Sequence, residues 1–121
     1  MKIKVMIKEP YKAPYDAEIE NTLEEFQRIV GGNIETVPCP GASGVKIICN
    51  EEGKIKGLAP NLSIAPDVIV GTVIVVGTVV VGYGDEEFVS LTEKQKNAAW
   101  LSLAVRSIHE PETILGVIGL C

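Results

Sequence analysis

The chain has two arginines, Arg28 and Arg106, and a guanidinium is the side-chain group that best matches a phosphate in a two-pronged hydrogen bond. Arg106 interrupts an otherwise apolar stretch, which suits burial at a pocket or interface. Both arginines also fall near the ends of predicted helices, where a cation complements the helix dipole without any ligand. A second group lies in Asn50–Asn61. It offers the amides of Asn50 and Asn61, the ammonium groups of Lys54 and Lys56, and the open backbone of Gly53 and Gly57. Lysine charges over a nest of backbone N–H groups would suit a phosphorylated ligand. The same residues equally describe a hairpin whose asparagines bond their own backbone and whose lysines face water. The GxxxxGK[ST] loop of nucleotide hydrolases is absent. Tyr83, between Gly82 and Gly84, is sterically free to stack on a base or ribose. Phe88 and Trp100 read as core, and Tyr11 and Tyr15 complete the aromatic set.

Other chemistries find less support. Glu51-Glu52 and Asp85-Glu86-Glu87 are carboxylate clusters, but consecutive residues of an extended segment point to opposite sides and neither cluster has a histidine neighbour. They read as solvated turn charge. The three cysteines (Cys39, Cys49, Cys121) form no CxxC, and with a single histidine, His109, they do not make a metal-ligand set. Cys39 and Cys49 could pair, though two reduced thiols in or near strands is the favoured reading, and His109 reads as a charge near a helix end. Ser90 and Ser107 have no visible base and acid partners for a triad. The reading is a non-enzyme without cofactor or metal.

These residues are positioned by a chain of 121 residues, a usual size for one domain, taken as 1–121. A net charge of −5 argues against nucleic acid and anionic membranes as partners, since both need a basic face. No leader is expected, because Met1-Lys2-Ile3-Lys4 opens into alternation rather than an apolar run. The most hydrophobic stretch, Val68 to Gly82, has 15 residues, fewer than the roughly 20 a membrane helix requires. A cytoplasmic protein follows.

Lys2–Lys8 alternates with period two, as a strand with one wet face does, and Tyr15–Glu20 should pair back on it. Asn21 with Glu24 suggests a helix start, and Gly31-Gly32 a helix end, giving a short helix over about 22–31. Strands follow at Ile34–Val37 and Gly44–Asn50. Glu51-Glu52-Gly53 reads as a tight turn with positive φ at Gly53, after which Lys54–Lys56 continues the ribbon and Gly57–Asn61 is irregular. The run Val68-Ile69-Val70, Val73–Val76, Val79–Val81 is continuously apolar, which predicts strands covered on both faces, by the chain's own helices on one and a neighbouring subunit on the other. Gly71 and Gly77 would mark bulges or a turn. Thr92 and Gln95 form a capping box with Leu91 at the staple position, so a longer helix spans about 93–108. That helix is apolar nearly all round, and residues 112–121 are apolar as well. Both predict a homo-oligomer interface. The fold class is α+β, mainly antiparallel sheet with one short and one longer C-terminal helix.

Four segments resemble the domain-of-unknown-function family DUF3846 over about residues 2–95. Asn21–Gly32 resembles its first helix, Asn50–Asn61 its hallmark turn, Asp67–Thr72 the strand after it, and Asp85–Thr92 the run into the last helix. The resemblance implies no reaction. It implies an accessory protein of phages or mobile elements, and by analogy one that acts against host defence. Joined to the phosphate-suited residues, this gives the expected function: sequestering a small nucleotide-like immune signal without cleaving it, in a pocket between subunits. Arg106, Arg28, Lys54 and Lys56 would meet phosphates there, and Tyr83 would stack. The alternatives are an anti-CRISPR-like protein–protein inhibitor of a host effector and a non-catalytic regulatory module.

Overall fold

The computed structural model describes residues 1–110. Among them the elements follow as β1 (Lys2–Lys8), β2 (Tyr15–Glu20), α1 (Leu23–Val30), β3 (Ile34–Pro38), β4 (Val45–Asn50), β5 (Pro60–Ile64), β6 (Asp67–Val70), β7 (Val73–Val81), β8 (Asp85–Val89) and α2 (Glu93–Arg106). All strand pairings are antiparallel, in the order β2-β1-β7-β4-β3 with β8 also on β7, and β5-β6 forms a separate two-stranded ribbon. The α+β class and the two helices of unequal length agree with the pattern of the sequence.

β7 is the central strand, and its register explains its length. Val75 pairs with Met6 on one edge and Ile47 on the other, while Gly77 pairs with Val89 and Val45. β1 and β8 therefore lie end to end along one edge of β7. The Ser90 hydroxyl accepts from Lys4 N–H at 2.8 Å, and Leu91 N–H donates to the Lys4 carbonyl at 2.9 Å, so β8 hands the chain on across β1. A Cβ on Gly77 would stand 2.9 Å from the Ser90 carbonyl, which is why glycine occupies this crossing. Gly77 sits within regular pairing. Gly71, with φ +79°, is the tight turn from β6 to β7, and neither is a bulge in β7.

The two faces of β7 bury different partners. Ile74 and Val76 pack with Ile3, Ile19, Phe26 and Val30 under α1. Val73 and Val75 pack with Ile47, Leu62, Ile69, Ala99 and Leu103 under α2 and the β5-β6 ribbon. The continuous apolar run thus reflects burial on both faces, but the chain itself supplies the second cover that was expected from a neighbouring subunit.

Local signals decide the helices. Thr22, not Asn21, caps α1, its hydroxyl accepting from Glu25 N–H, and Gly31 closes the helix in the left-handed conformation. Asn21 instead donates through Nδ2 to the Phe88 carbonyl at 2.9 Å. α2 begins with the expected Thr92–Gln95 capping box and ends at Arg106, two residues short of the expected limit. Ser107 leaves the helix to bridge Leu62, and Ile108 N–H donates to the Asn61 carbonyl at 2.9 Å. Only Ala99, Ser102 and Leu103 of α2 are buried; Trp100, Leu101 and Val105 are 47%, 65% and 78% exposed. Trp100 is therefore not core. Phe88 is half-buried beside the α1 core, edge-on to Phe26 at 5.4 Å. The tail, 112–121, lies outside the described residues.

Candidate functional site

The Asn50–Asn61 segment is a compact turn rather than a ribbon. Lys56 N–H donates to the Glu52 carbonyl and Leu58 N–H to the Gly53 carbonyl, both at 3.0 Å, so Lys54–Lys56 is no strand. Gly57, not Gly53, has the positive φ, at +72°. Pro60 and Asn61, expected to be irregular, open β5.

Its polar side chains are committed to the fold. Asn50 is buried; its Nδ2 donates to the Val30 carbonyl at 3.1 Å, and its Oδ1 accepts from Glu52 N–H at 2.8 Å, tying the end of α1 to the sheet. Lys56 Nζ donates to the Gly31 carbonyl at 3.2 Å and so caps the same helix end. Lys54 pairs with Asp67, whose carboxyl is held below its ordinary value by that contact. Next to them lies a hollow of about 230 Å³ lined by Glu35, Glu51, Asp67, Lys54 and Cys49. Three carboxylates make it a poor phosphate site. Burial and the neighbouring Glu35 push the Cys49 thiol up to about 12, which keeps it protonated and inert. Cys39 and Cys49 are both free and buried.

The remaining expected site residues are dispersed. Arg28 is exposed on α1 and donates through Nε to Glu25 at 2.6 Å. Arg106, half-buried on the opposite face of the sheet, donates through Nη1 to the Ser102 carbonyl and hydroxyl, both at 3.2 Å. Tyr83 stands fully exposed at the β7–β8 turn. Within one chain these groups do not form a common pocket. Of the acidic clusters, Glu86 approaches Lys46 at 3.8 Å, while Glu51 and Glu52 face solvent.

Asn61 leads elsewhere. Its Nδ2 donates to the carbonyls of Lys8 (2.9 Å) and Gly71 (2.8 Å), and its Oδ1 accepts from Lys8 Nζ at 2.7 Å. The Lys8 ammonium also donates to the Glu9 carbonyl at 3.3 Å. Both side chains are fully buried. Among the described residues no carboxylate forms an ion pair with Lys8. Desolvation holds its pKa below the ordinary lysine value. A buried cation facing only neutral acceptors is rare and costly.

A cavity of about 210 Å³ adjoins it, walled by Tyr11 and Trp100, with Lys12, Ser107 and His109 beside them and Lys8 contributing to the lining. β1 delivers Lys8, and the chain beyond it turns sharply at Tyr11. Tyr11 is, among the described residues, the non-glycine residue with positive φ, +67°, a conformation that costs an ordinary side chain on the order of 1 kcal/mol. α2 supplies Trp100 and Ala104, and the chain leaving it along β5 supplies Ser107 and His109. Ser107 donates to the Leu103 carbonyl at 2.8 Å, so its hydroxyl is occupied within the helix turn. A larger hollow of about 440 Å³ between β2 and the start of α2 is lined by Lys4, Asp16, Glu93 and Lys96, and Lys96 already pairs with both acids, at 3.1 and 3.5 Å.

The model of the family described as domain of unknown function DUF3846 matches residues 1–103. The chain belongs to that family. No curated protein and no solved structure matches it. The DUF3846 match takes in Lys8, Tyr11, Asn61 and Trp100 and ends before Ser107 and His109. The segments that resembled the family turn out to be each other's packing partners: Asn50 and Lys56 seat on the Val30–Gly31 end of α1, and Asn61 seats on Gly71. Lys8 escaped the sequence reading as a site residue, while Tyr11 stood only in the aromatic set and Trp100 read as core. Lys8 looked like one more wet position in an alternating strand, and only the placement of Asn61 reveals its burial.

Among the described residues no helix is long and apolar enough to cross a membrane, and no cluster of His, Cys, Asp and Glu could hold a metal ion.

Proposed function

We propose that the protein is a non-catalytic binding protein of a phage or mobile element that acts in the host cytoplasm and sequesters a small nucleotide-like immune signal without cleaving it. The observation that supports this reading is the cavity beside Lys8. It combines aromatic surface from Tyr11 and Trp100, on which a base can stack, with the cations of Lys8 and Lys12. The site moves accordingly from the Asn50–Asn61 turn to the junction of β1 and α2. At about 210 Å³ the cavity falls below the roughly 300 Å³ at which drug-sized pockets begin, so it holds part of a nucleotide rather than a whole dinucleotide. The outward apolar residues Trp100, Leu101 and Val105 continue from the cavity wall, and a homo-oligomer that covers them would also enclose the mouth.

Trp100 is the single tryptophan of the chain and stands in the cavity wall, so its fluorescence reports on the site directly. Titration with nucleoside monophosphates, cyclic nucleotides and ADP-ribose derivatives should change that emission and release heat in a calorimeter for at least one of them. The ligand should be recovered chemically unchanged. Silence across the whole panel, or conversion of the ligand, overturns the reading.

A further inference from the structure

We infer that Lys8 is the residue by which this cavity distinguishes an anionic ligand from its uncharged counterpart, the field of its buried ammonium drawing the ligand's phosphate to that wall. The inference rests on the cavity being a nucleotide-like site, as proposed above, and concerns which residue reads the charge.

The starting point is a count of donors. A protonated lysine carries three N–H groups. Among the described residues this one has two acceptors, Asn61 Oδ1 at 2.7 Å and the Glu9 carbonyl at 3.3 Å. Both are neutral, so they orient the ammonium without cancelling its charge. The third N–H finds no acceptor there, and the group is fully buried, so the ammonium meets the cavity through its field across the wall that Lys8 helps to form rather than as an exposed donor. A charge at a poorly solvated wall acts on a ligand far more strongly than one in bulk water.

The other cations nearby are less suited to this task. Lys12 is exposed and lies 3.7 Å from the Glu9 carboxylate, so solvent screens it and a counter-charge already answers it. His109 is exposed, beyond the end of α2. Arg106 directs its Nη1 at Ser102. The groups around Lys8 are then the Glu9 carbonyl and, further out, the Glu9 carboxylate and Lys12 from the chain after β1; Asn61 from β5; and His109 from the chain after α2. Asn61 is the positioning residue. Its two amide hydrogens are fixed by the Lys8 and Gly71 carbonyls, which leaves its oxygen nowhere to point but at the ammonium.

The test compares a nucleoside with its own 5′-monophosphate, using adenosine with AMP and guanosine with GMP, on the full chain and on Lys8→Met. Wild type should prefer the monophosphate by tenfold or more, about the effect of a unit charge acting at short range in a poorly solvated site. Lys8→Met should bind nucleoside and monophosphate alike, with nucleoside affinity retained through the aromatic walls. A variant that still prefers the monophosphate overturns the role of Lys8 while leaving the nucleotide site standing. A wild type that binds neither member of either pair overturns both. If Lys8→Met does not fold, the proton balance of the wild type decides. Between the lowered pKa of Lys8 and the ordinary lysine value, phosphate is already a dianion and an ordinary lysine is still largely protonated. Monophosphate binding there should draw a proton onto Lys8, seen as a heat that depends on the buffer's ionisation enthalpy, and nucleoside binding should not. Equal proton uptake by the two ligands overturns the inference.

Discussion

The two faces of the central sheet are built to different rules. Under α1 the buried set is wholly apolar, with Phe26 and Phe88 meeting edge to face and Val30 closing the layer. The buried polar group at that end, Asn50, serves a helix terminus. Under α2 the apolar cluster borders Lys8, Asn61 and Ser102, all buried and polar, and the helix turns Trp100, Leu101 and Val105 outward. A face that needs only to stay folded has little reason to enclose an ammonium, because an apolar side chain of similar volume would cost less. The difference is the reason the proposed site is placed on the α2 side.

The sharpest way to break that contrast is to remove the two asparagines in turn. Asn61→Ala would leave the Lys8 ammonium and the Lys8 and Gly71 carbonyls short of partners in a dry interior, and should cost roughly 3–5 kcal/mol in chemical denaturation. Asn50→Ala removes a bond to the Val30 carbonyl and one to Glu52 N–H at a less enclosed end, and should cost about 1–2 kcal/mol. Equal losses would mean that the α2 side carries no special polar burden.

Aromatic truncations sharpen it from the other direction. Phe26→Ala empties a fully packed position and should destabilise by about 3–4 kcal/mol. Trp100→Ala, from a half-exposed ring, should cost about 1 kcal/mol or less in a melt while abolishing binding at the cavity. A large stability loss at Trp100 would make it a core residue after all. The helix caps give a smaller version of the same comparison. Thr92→Ala dismantles a reciprocal capping box and should cost about 1 kcal/mol; Thr22→Ala removes one bond and should cost about half as much.

What could be read from sequence depended on whether the signal was local. β1, β2 and the capping box of α2 show in periodicity and in a four-residue motif, and each stands where those patterns put it. β8 was missed because Asp85-Glu86-Glu87 reads as turn charge, and it pairs only because β7 overhangs β1 and offers a free edge. The Asn50–Asn61 turn was misassigned for a related reason. Its lysines alternate as in a strand, but Lys56 is drawn onto the end of α1, a contact 25 residues away in sequence. The site was the least legible part. Lys8 becomes unusual only when Asn61, 53 residues on, is brought over it. Arg28 and Arg106 drew attention through residue type, which says nothing of the carboxylate or hydroxyl that already occupies them.

The smallest effect expected is also the most direct measure of the asymmetry. Lys8 has a folded-state pKa below its ordinary value of 10.5, because burial disfavours the charged form. Between the lowered value and 10.5 the unfolded chain binds the proton more fully than the folded one, so stability must rise with pH across that window. Below it both states are protonated and the penalty of the buried charge is present in full. Lys96 acts in the opposite sense: Asp16 raises its pKa, so its contribution is lost as pH climbs. Subtracting the Lys8→Met profile from the wild-type profile removes Lys96 and every other unchanged group. The difference should favour wild type increasingly as pH climbs from the lowered value to 10.5 in ligand-free protein. A flat difference would mean that Lys8 is hydrated in solution, and the α2 face would then be no more polar inside than the α1 face.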